Sequence, residues 1–186
     1  MRIRIKSNAR RVRNFGSKVE TSVPKSAASA MNRATQMART AASRKVREKY
    51  TVKAASITKT FSAGKASAGS LRSKLVSSDG SMPLIRFKTY PSKPTPKKLP
   101  KVLKASILNG GKKVVPGAFV TKVGSHIGVL ERKTKKRLPI KELLGPAVPV
   151  MVNKQEVREE TEKVLKEAFE TRMMHELGRN LGRINL

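Results

Sequence analysis

The 186-residue chain contains no cysteine. That excludes disulfide scaffolds, cysteine-ligated zinc and thiol nucleophiles. It has no tryptophan, and only five phenylalanines and two tyrosines. So few rings offer little stacking for single-stranded bases. A core must be modest and built from Val, Ile, Leu, Ala and Met. Long apolar runs are absent too. The longest uncharged apolar stretch, Leu143 to Asn153, holds two prolines and is too short to span a bilayer. The start, Met1-Arg2-Ile3-Arg4-Ile5-Lys6, is basic with no apolar core after it, which argues against a secretory signal peptide. A basic, acid-poor leader also matches an organelle transit peptide.

Acid is the scarcest resource. Twelve Asp plus Glu stand against 42 Lys plus Arg, a net charge of +30. Between Glu48 and Glu131 the only carboxylate is Asp79, so paired carboxylates for acid–base chemistry or hard metals are not expected there. Glu159, Glu160 and Glu162 have Lys163 or Lys166 at helical spacing and read as a solvated face. His126 and His175 lack spaced ligand partners. Gly124-Ser125-His126-Ile127-Gly128 does not have the nucleophile-elbow order, and Gly110-Gly111-Lys112 lacks the rest of a phosphate loop. No catalytic residue, metal or cofactor is expected.

What the chain has in abundance is positive charge, unevenly placed. Residues 1–50 carry 14 basic and 2 acidic groups, residues 51–100 carry 10 and 1, and residues 101–150 carry 11 and 2. Residues 151–186 carry seven of each. Such a surface repels itself unless it meets anions: nucleic acid, an anionic membrane or an acidic protein. Arg2, Arg4, Arg10, Arg11 and Arg13 are candidate phosphate contacts on an N-terminal arm. Arg33, Arg44 and Arg47 are candidates on a helix face, and Arg132, Lys133, Lys135, Lys136 and Arg137 on a loop. Groups of this kind bind phosphate without reading sequence.

The element order predicts an α+β fold. Residues 1–22 read as a basic arm, either a short strand or an unstructured tail, and 23–186 as one domain. Pro24 suits the first turn of a helix running to about Tyr50. Its apolar stripe is Ala27, Met31, Ala34, Ala38, Ala41 and Val46, flanked by Ala30, Met37 and Ala42. A short helix follows over Lys53 to Phe61. Leu71–Val76 and Pro83–Tyr90 read as a hairpin about Ser78-Asp79-Gly80-Ser81. A proline-rich connector spans 91–101. Lys101–Leu108 and Lys112–Val115 pair about Asn109-Gly110-Gly111, and Phe119–Val123 and His126–Leu130 follow as short strands. Asn153 with Glu156 fits a capping box opening an amphipathic helix. Its stripe, Val157, Thr161, Val164, Leu165, Ala168, Phe169, Met173, Leu177 and Leu181, is expected in the core.

One stretch carries a recognisable order. It runs Met82-Pro83-Leu84-Ile85-Arg86-Phe87, Gly117-Ala118-Phe119-Val120, and Gly124-Ser125-His126-Ile127-Gly128-Val129. It continues with Glu131-Arg132, Arg137-Leu138-Pro139-Ile140-Lys141-Glu142-Leu143 and Gly145-Pro146-Ala147-Val148-Pro149. This resembles the minor tail protein Z family of long-tailed bacteriophages, the tail completion proteins, over roughly Ala30 to Leu181. A serine and an isoleucine pad the Gly-His-Gly element, and the Lys133–Lys136 loop is heavier than the family pattern.

The resemblance implies a virion structural protein, assembled in the host cytoplasm, with no enzyme activity or cofactor. It implies a ring, about sixfold, at the head–tail junction. Tail terminator, tail tube or neck proteins would be its partners, with genomic DNA in the lumen and no membrane. Phe119, His126, Leu138, Pro139, Ile140, Gly145, Pro146 and Pro149 are the candidate subunit or partner interface. The competing reading, from composition alone, is a sequence-nonspecific nucleic-acid-binding protein of ribosomal or DNA-packing type.

Overall fold

The computed structural model describes residues 9–94 and 102–182, with side chains from Gly16 onward. It is α+β, with a long N-terminal helix, small sheets and a long C-terminal helix. Helix α1 runs Ala9–Lys49 and α2 Ala54–Thr58. Strands β1 (Phe61–Gly64) and β2 (Lys74–Ser77) pair with each other. Strand β3 (Met82–Pro83) leads through a 3-10 turn, Leu84–Arg86, to β4 (Lys88–Tyr90). Then come β5 (Leu103–Ser106), β6 (Lys113–Val115), β7 (Ala118–Val123), β8 (His126–Arg132), β9 (Ile140–Glu142) and β10 (Leu144–Gly145). Helices α3 (Val148–Val152) and α4 (Gln155–Gly182) finish the described chain. Strands β4-β5-β6 and β7-β8-β9 form two antiparallel sheets, and β10 pairs antiparallel with β3.

Several sequence expectations need correcting. Helix α1 starts well before Pro24, which lies inside it. The proline costs one backbone donor, yet the helix runs through it, and neighbouring hydroxyls add side-chain bonds to its carbonyls. Thr21 Oγ1 donates to Ser17 O at 3.1 Å and Ser26 Oγ to Ser22 O at 2.9 Å. The hairpin about Ser78–Ser81 does not form. Strand β2 pairs with β1 instead, prolonged by Ser78 N–H donating to Thr60 O at 2.9 Å, and the 82–90 segment divides between β10 and β5. Phe61 belongs to β1, not α2. Asn153 closes α3 rather than opening α4: its N–H donates to Pro149 O at 2.9 Å. The connector shows no helix or strand over Pro91–Pro94, and its remainder lies outside the described residues. The β5–β6 hairpin forms as read, and the two expected short strands β7 and β8 also form, pairing with each other in a hairpin that turns on Gly124 at φ +61°.

Two compact units divide the chain. One holds α1 as far as Ala38, Ala63–Leu75, and α4 from Glu162. Among the described residues its buried apolar residues are Ala27, Ala28, Ala30, Ala34, Ala38, Ala66 and Ala168, every one an alanine. A methyl group yields only about 0.8 kcal/mol on burial, so polar pairs supply much of the specificity. Asn32 grips the backbone of Ala66 in both directions, donating Nδ2–H to its carbonyl (2.9 Å) and accepting its N–H (2.8 Å). Asn180 donates to Ser26 Oγ at 2.7 Å, and Ser26 Oγ lies 3.3 Å from Glu176 O. The expected α4 stripe is only partly buried: Ala168 is covered, Phe169, Met173 and Leu177 are half-buried, and Leu165 and Leu181 are exposed.

The other unit, Arg39–Ser62 with Val76–Thr161, holds the large buried side chains. Ile57, Leu103, Met151, Val46, Val129, Val148 and Val157 are all fully buried. Asn109 ties the end of α1 to the β5–β6 turn. Its Nδ2 donates to the carbonyls of Arg47 (3.0 Å) and Glu48 (2.8 Å), and its backbone N–H to that of Lys49 (2.8 Å). Those carbonyls have no partner within the helix, so the asparagine removes a standing deficit. Lys49 Nζ meets Glu156 at 2.7 Å, and its hydrogen bond and charge hold the Glu156 carboxyl below its ordinary value.

One row of buried positions on α1 follows steps of four, Ser26, Ala30, Ala34, Ala38, Ala42 and Val46, continuing to Tyr50 just past its end, with Ala27, Ala28, Thr35 and Ser43 buried beside it. The sequence stripe had drawn in Met31, Met37 and Ala41; Met37 is 36% exposed and the other two half-buried. Enlarging a fully buried small position forces its neighbours out of place at about 1–3 kcal/mol. Ala42→Leu should therefore lower the unfolding free energy by that order, while Met37→Leu changes it by less than about 0.5 kcal/mol. Urea titration followed by circular dichroism checks both.

Candidate functional site

The three-stranded sheet β7-β8-β9 and its β8–β9 loop gather five of the eight expected interface residues. Register pairs Phe119 with Leu130, Thr121 with Gly128 and Val123 with His126, and sets Arg132 opposite Ile140 and Leu130 opposite Glu142. Paired residues share a face and alternate along each strand. Phe119, His126, Arg132, Ile140 and Glu142 therefore stand on one side of the sheet. On that face His126 Nε2 lies 2.7 Å from Glu142 Oε1. Arg132 places its guanidinium carbon 5.5 Å from the centre of the Phe119 ring, a cation–π contact.

Gly128 explains the glycine-flanked histidine. A Cβ at this position would lie 2.7 Å from Glu142 Oε1 and 3.2 Å from His126 Nε2. The missing side chain is the space through which glutamate reaches histidine. Gly145 acts similarly in the β3–β10 pair, where an added Cβ would sit 2.9 Å from Phe87 Cζ. Phe87 is 4% exposed and has no room to retreat.

The basic loop joins β8 to β9. Lys133 N–H closes it by donating to Pro139 O at 3.1 Å. Arg132, Lys133, Lys135, Lys136 and Arg137 are all exposed, and no ion pair involves them among the described residues. Leu138 beside them is 65% exposed and Pro139 is exposed as well. The other expected interface residues lie further along. Gly145 is buried in β10, Pro146 is half-buried just beyond it, and Pro149 lies in α3.

The expected phosphate contacts separate into distinct places. Arg2 and Arg4 lie outside the described residues. Arg10, Arg11 and Arg13 are on the α1 backbone, with side chains outside the described set. Arg33 is exposed on α1 in the alanine-cored unit. Arg44 and Arg47 do come together, in an open cleft of about 530 Å³ between the last turns of α1 and helix α2. Thr40, Ser43, Ala54 and Thr58 complete most of its wall. Sequence reading found the two arginines but missed their neighbours. The signal was present: positions 40, 43, 44 and 47 share one helical face, and 54 and 58 share another.

No group of three His, Asp or Glu side chains converges on a metal-sized space among the described residues. Nor is any helix among them long and apolar enough to cross a membrane.

A family model described as prophage minor tail protein Z (GPZ) matches residues 5–185. The chain belongs to the prophage minor tail protein Z family. No curated protein and no solved structure matches it. The match covers nearly the whole chain, including the N-terminal and C-terminal helices that the motif resemblance reached only in part. Family membership makes this a structural protein of a phage tail, a virion component that works among other tail proteins. The two close-approach glycines, Gly128 in the β7-β8-β9 sheet and Gly145 in the β3–β10 pair, carry different loads. Gly145→Ala should cost about 1–3 kcal/mol through overpacking against Phe87. Gly128→Ala should cost under about 1 kcal/mol, because a flexible, partly exposed glutamate can swing away. It should nevertheless shift the His126 imidazole resonances. Thermal melts and proton–nitrogen spectra separate the two outcomes.

Proposed function

We propose that the protein completes the head-proximal end of the tail, assembling as a ring of about six copies that supports head–tail joining. The observation that carries this reading is family membership over residues 5–185. The mechanism is geometric: an oligomer of fixed diameter sets the end of the tail and presents a surface to the neck. The β7-β8-β9 face and its loop are the partner surface, with Phe119, His126, Leu138, Pro139 and Ile140 beside Lys133, Lys135, Lys136 and Arg137. Tail terminator, tail tube or neck proteins are its neighbours. The positive charge faces acidic segments of these partners or genomic DNA in the lumen. A ring multiplies +30 by its copy number, so bound anions are needed to offset the self-repulsion.

Composition alone would also suit a free nucleic-acid-binding protein, but family membership favours the tail. Phage lacking this gene, complemented with a chain carrying Lys133→Gln, Lys135→Gln, Lys136→Gln and Arg137→Gln, should accumulate separate heads and tails by electron microscopy. The parent chain should restore joining, and the purified protein should form rings in negative stain. A protein that stays monomeric, never co-sediments with tails and leaves joining unaffected when deleted would sink the reading.

A further inference from the structure

We propose that the cleft between α1 and α2 is a phosphodiester-binding site that grips the DNA backbone without reading bases. The proposal rests on the reading that the protein works beside DNA, and it names where one contact is made. Two arginines three residues apart on α1 line the cleft. Neither Arg44 nor Arg47 makes an ion pair among the described residues. Arginine forks match phosphate oxygens and remain charged at any working pH.

Two features oppose an anion here, and both are offset. Glu48 also lines the cleft. Its carboxylate is taken up by Lys45 at 2.9 Å, and that hydrogen bond and charge raise the lysine's pKa. The C-terminal end of α1 carries a negative partial charge. Asn109 covers it, donating to the carbonyls of Arg47, Glu48 and Lys49. What remains at the opening is the charge of the two guanidinium groups.

The cleft is held in shape from below. Arg39 Nη2 donates to Thr58 O at 2.6 Å, fixing the end of α2 to α1. Ile57 on α2 is fully buried, so the short helix cannot drift. A volume of about 530 Å³ is larger than a lone ion needs, and the mostly apolar lining, which includes Ala54, offers a sugar an apolar wall. No aromatic ring and no Asn or Gln lines the cleft, so it offers neither base stacking nor the amide pairing that reads adenine. An acidic peptide would need only the charges; the sugar-sized apolar wall favours a nucleic-acid backbone.

The test is fluorescence anisotropy with a short mixed-sequence DNA duplex, using the full chain between about 50 and 200 mM salt. Each neutralised phosphate contributes about 0.9 to the slope of log affinity against log salt. Arg44→Gln with Arg47→Gln should flatten that slope by about 1–2 and weaken binding alike for unrelated sequences. Arg44→Lys with Arg47→Lys should keep the slope and lose part of the affinity, because charge remains without the fork. Circular dichroism confirms that the variants fold; if the Gln pair does not, the Lys pair still decides by its lost affinity. Unchanged affinity and slope in the Gln pair overturn the proposal. So does loss of binding to polyglutamate in place of DNA, which would make the cleft a socket for an acidic protein. A parent chain that binds no duplex also overturns it, yet leaves the tail-completion reading standing, because head joining is scored separately.

Discussion

The structure depends on one row of small side chains. On α1, Ser26, Ala30, Ala34, Ala38 and Ala42 are buried at steps of four before the row widens at Val46. A four-step row is a ridge inclined to the helix axis, and elements packed on it approach along that incline. With methyl and hydroxymethyl groups on the ridge, neighbouring backbone comes close enough for side-chain amides to reach it. Asn32 bonding the backbone of Ala66 is the clearest consequence. Where the row ends in Val46 and Tyr50, the same helix packs in a unit with large buried residues such as Leu103 and Met151. A single helix thus serves two kinds of packing, one specified by hydrogen bonds and the other by apolar volume.

That division bears on where charge can go. Alanine packing uses a narrow stripe and leaves the rest of α1 to solvent, so arginines are tolerated at 33, 44 and 47. In the sheet, Val120, Val129 and Leu130 occupy buried positions, and the densest run of charge lies in the exposed β8–β9 loop. A glycine at 128 permits the one paired histidine on the sheet face. The positive groups are therefore not one smear. They are separate stations, each placed by the packing that excludes it from elsewhere.

Much of this was legible in the residues, and the failures have physical causes. Asn109-Gly110-Gly111 placed the β5–β6 turn, and β7 and β8 were read as strands, though their pairing was not. Asp79-Gly80 also looked like a hairpin turn, but strand pairing is decided by what lies alongside. Thr60 and Ser77 join β1 to β2 through a 3.0 Å hydroxyl contact, which no local turn rule can foresee. Pro24 was read as a helix start because its ring forbids only the hydrogen bond behind it; the helix extends through that gap. The Asn153–Glu156 spacing imitated a cap, yet Asn153 finishes α3. The interface set was readable as a motif order, but the reason for Gly128 and Gly145 was not. Each glycine makes way for a side chain, Glu142 or Phe87, whose approach exists only after folding.

Net charge and burial then constrain one another. A chain at +30 loses stability to self-repulsion, and a unit whose buried apolar residues are all alanine has little burial energy to set against it. One remedy is local pairing, seen where Lys45 meets Glu48 and Lys49 meets Glu156. With 12 carboxylates against 42 cations, that remedy is exhausted early. On the reading proposed above, the remaining positive charge is answered by anions from outside the chain, either nucleic-acid phosphates or partner carboxylates.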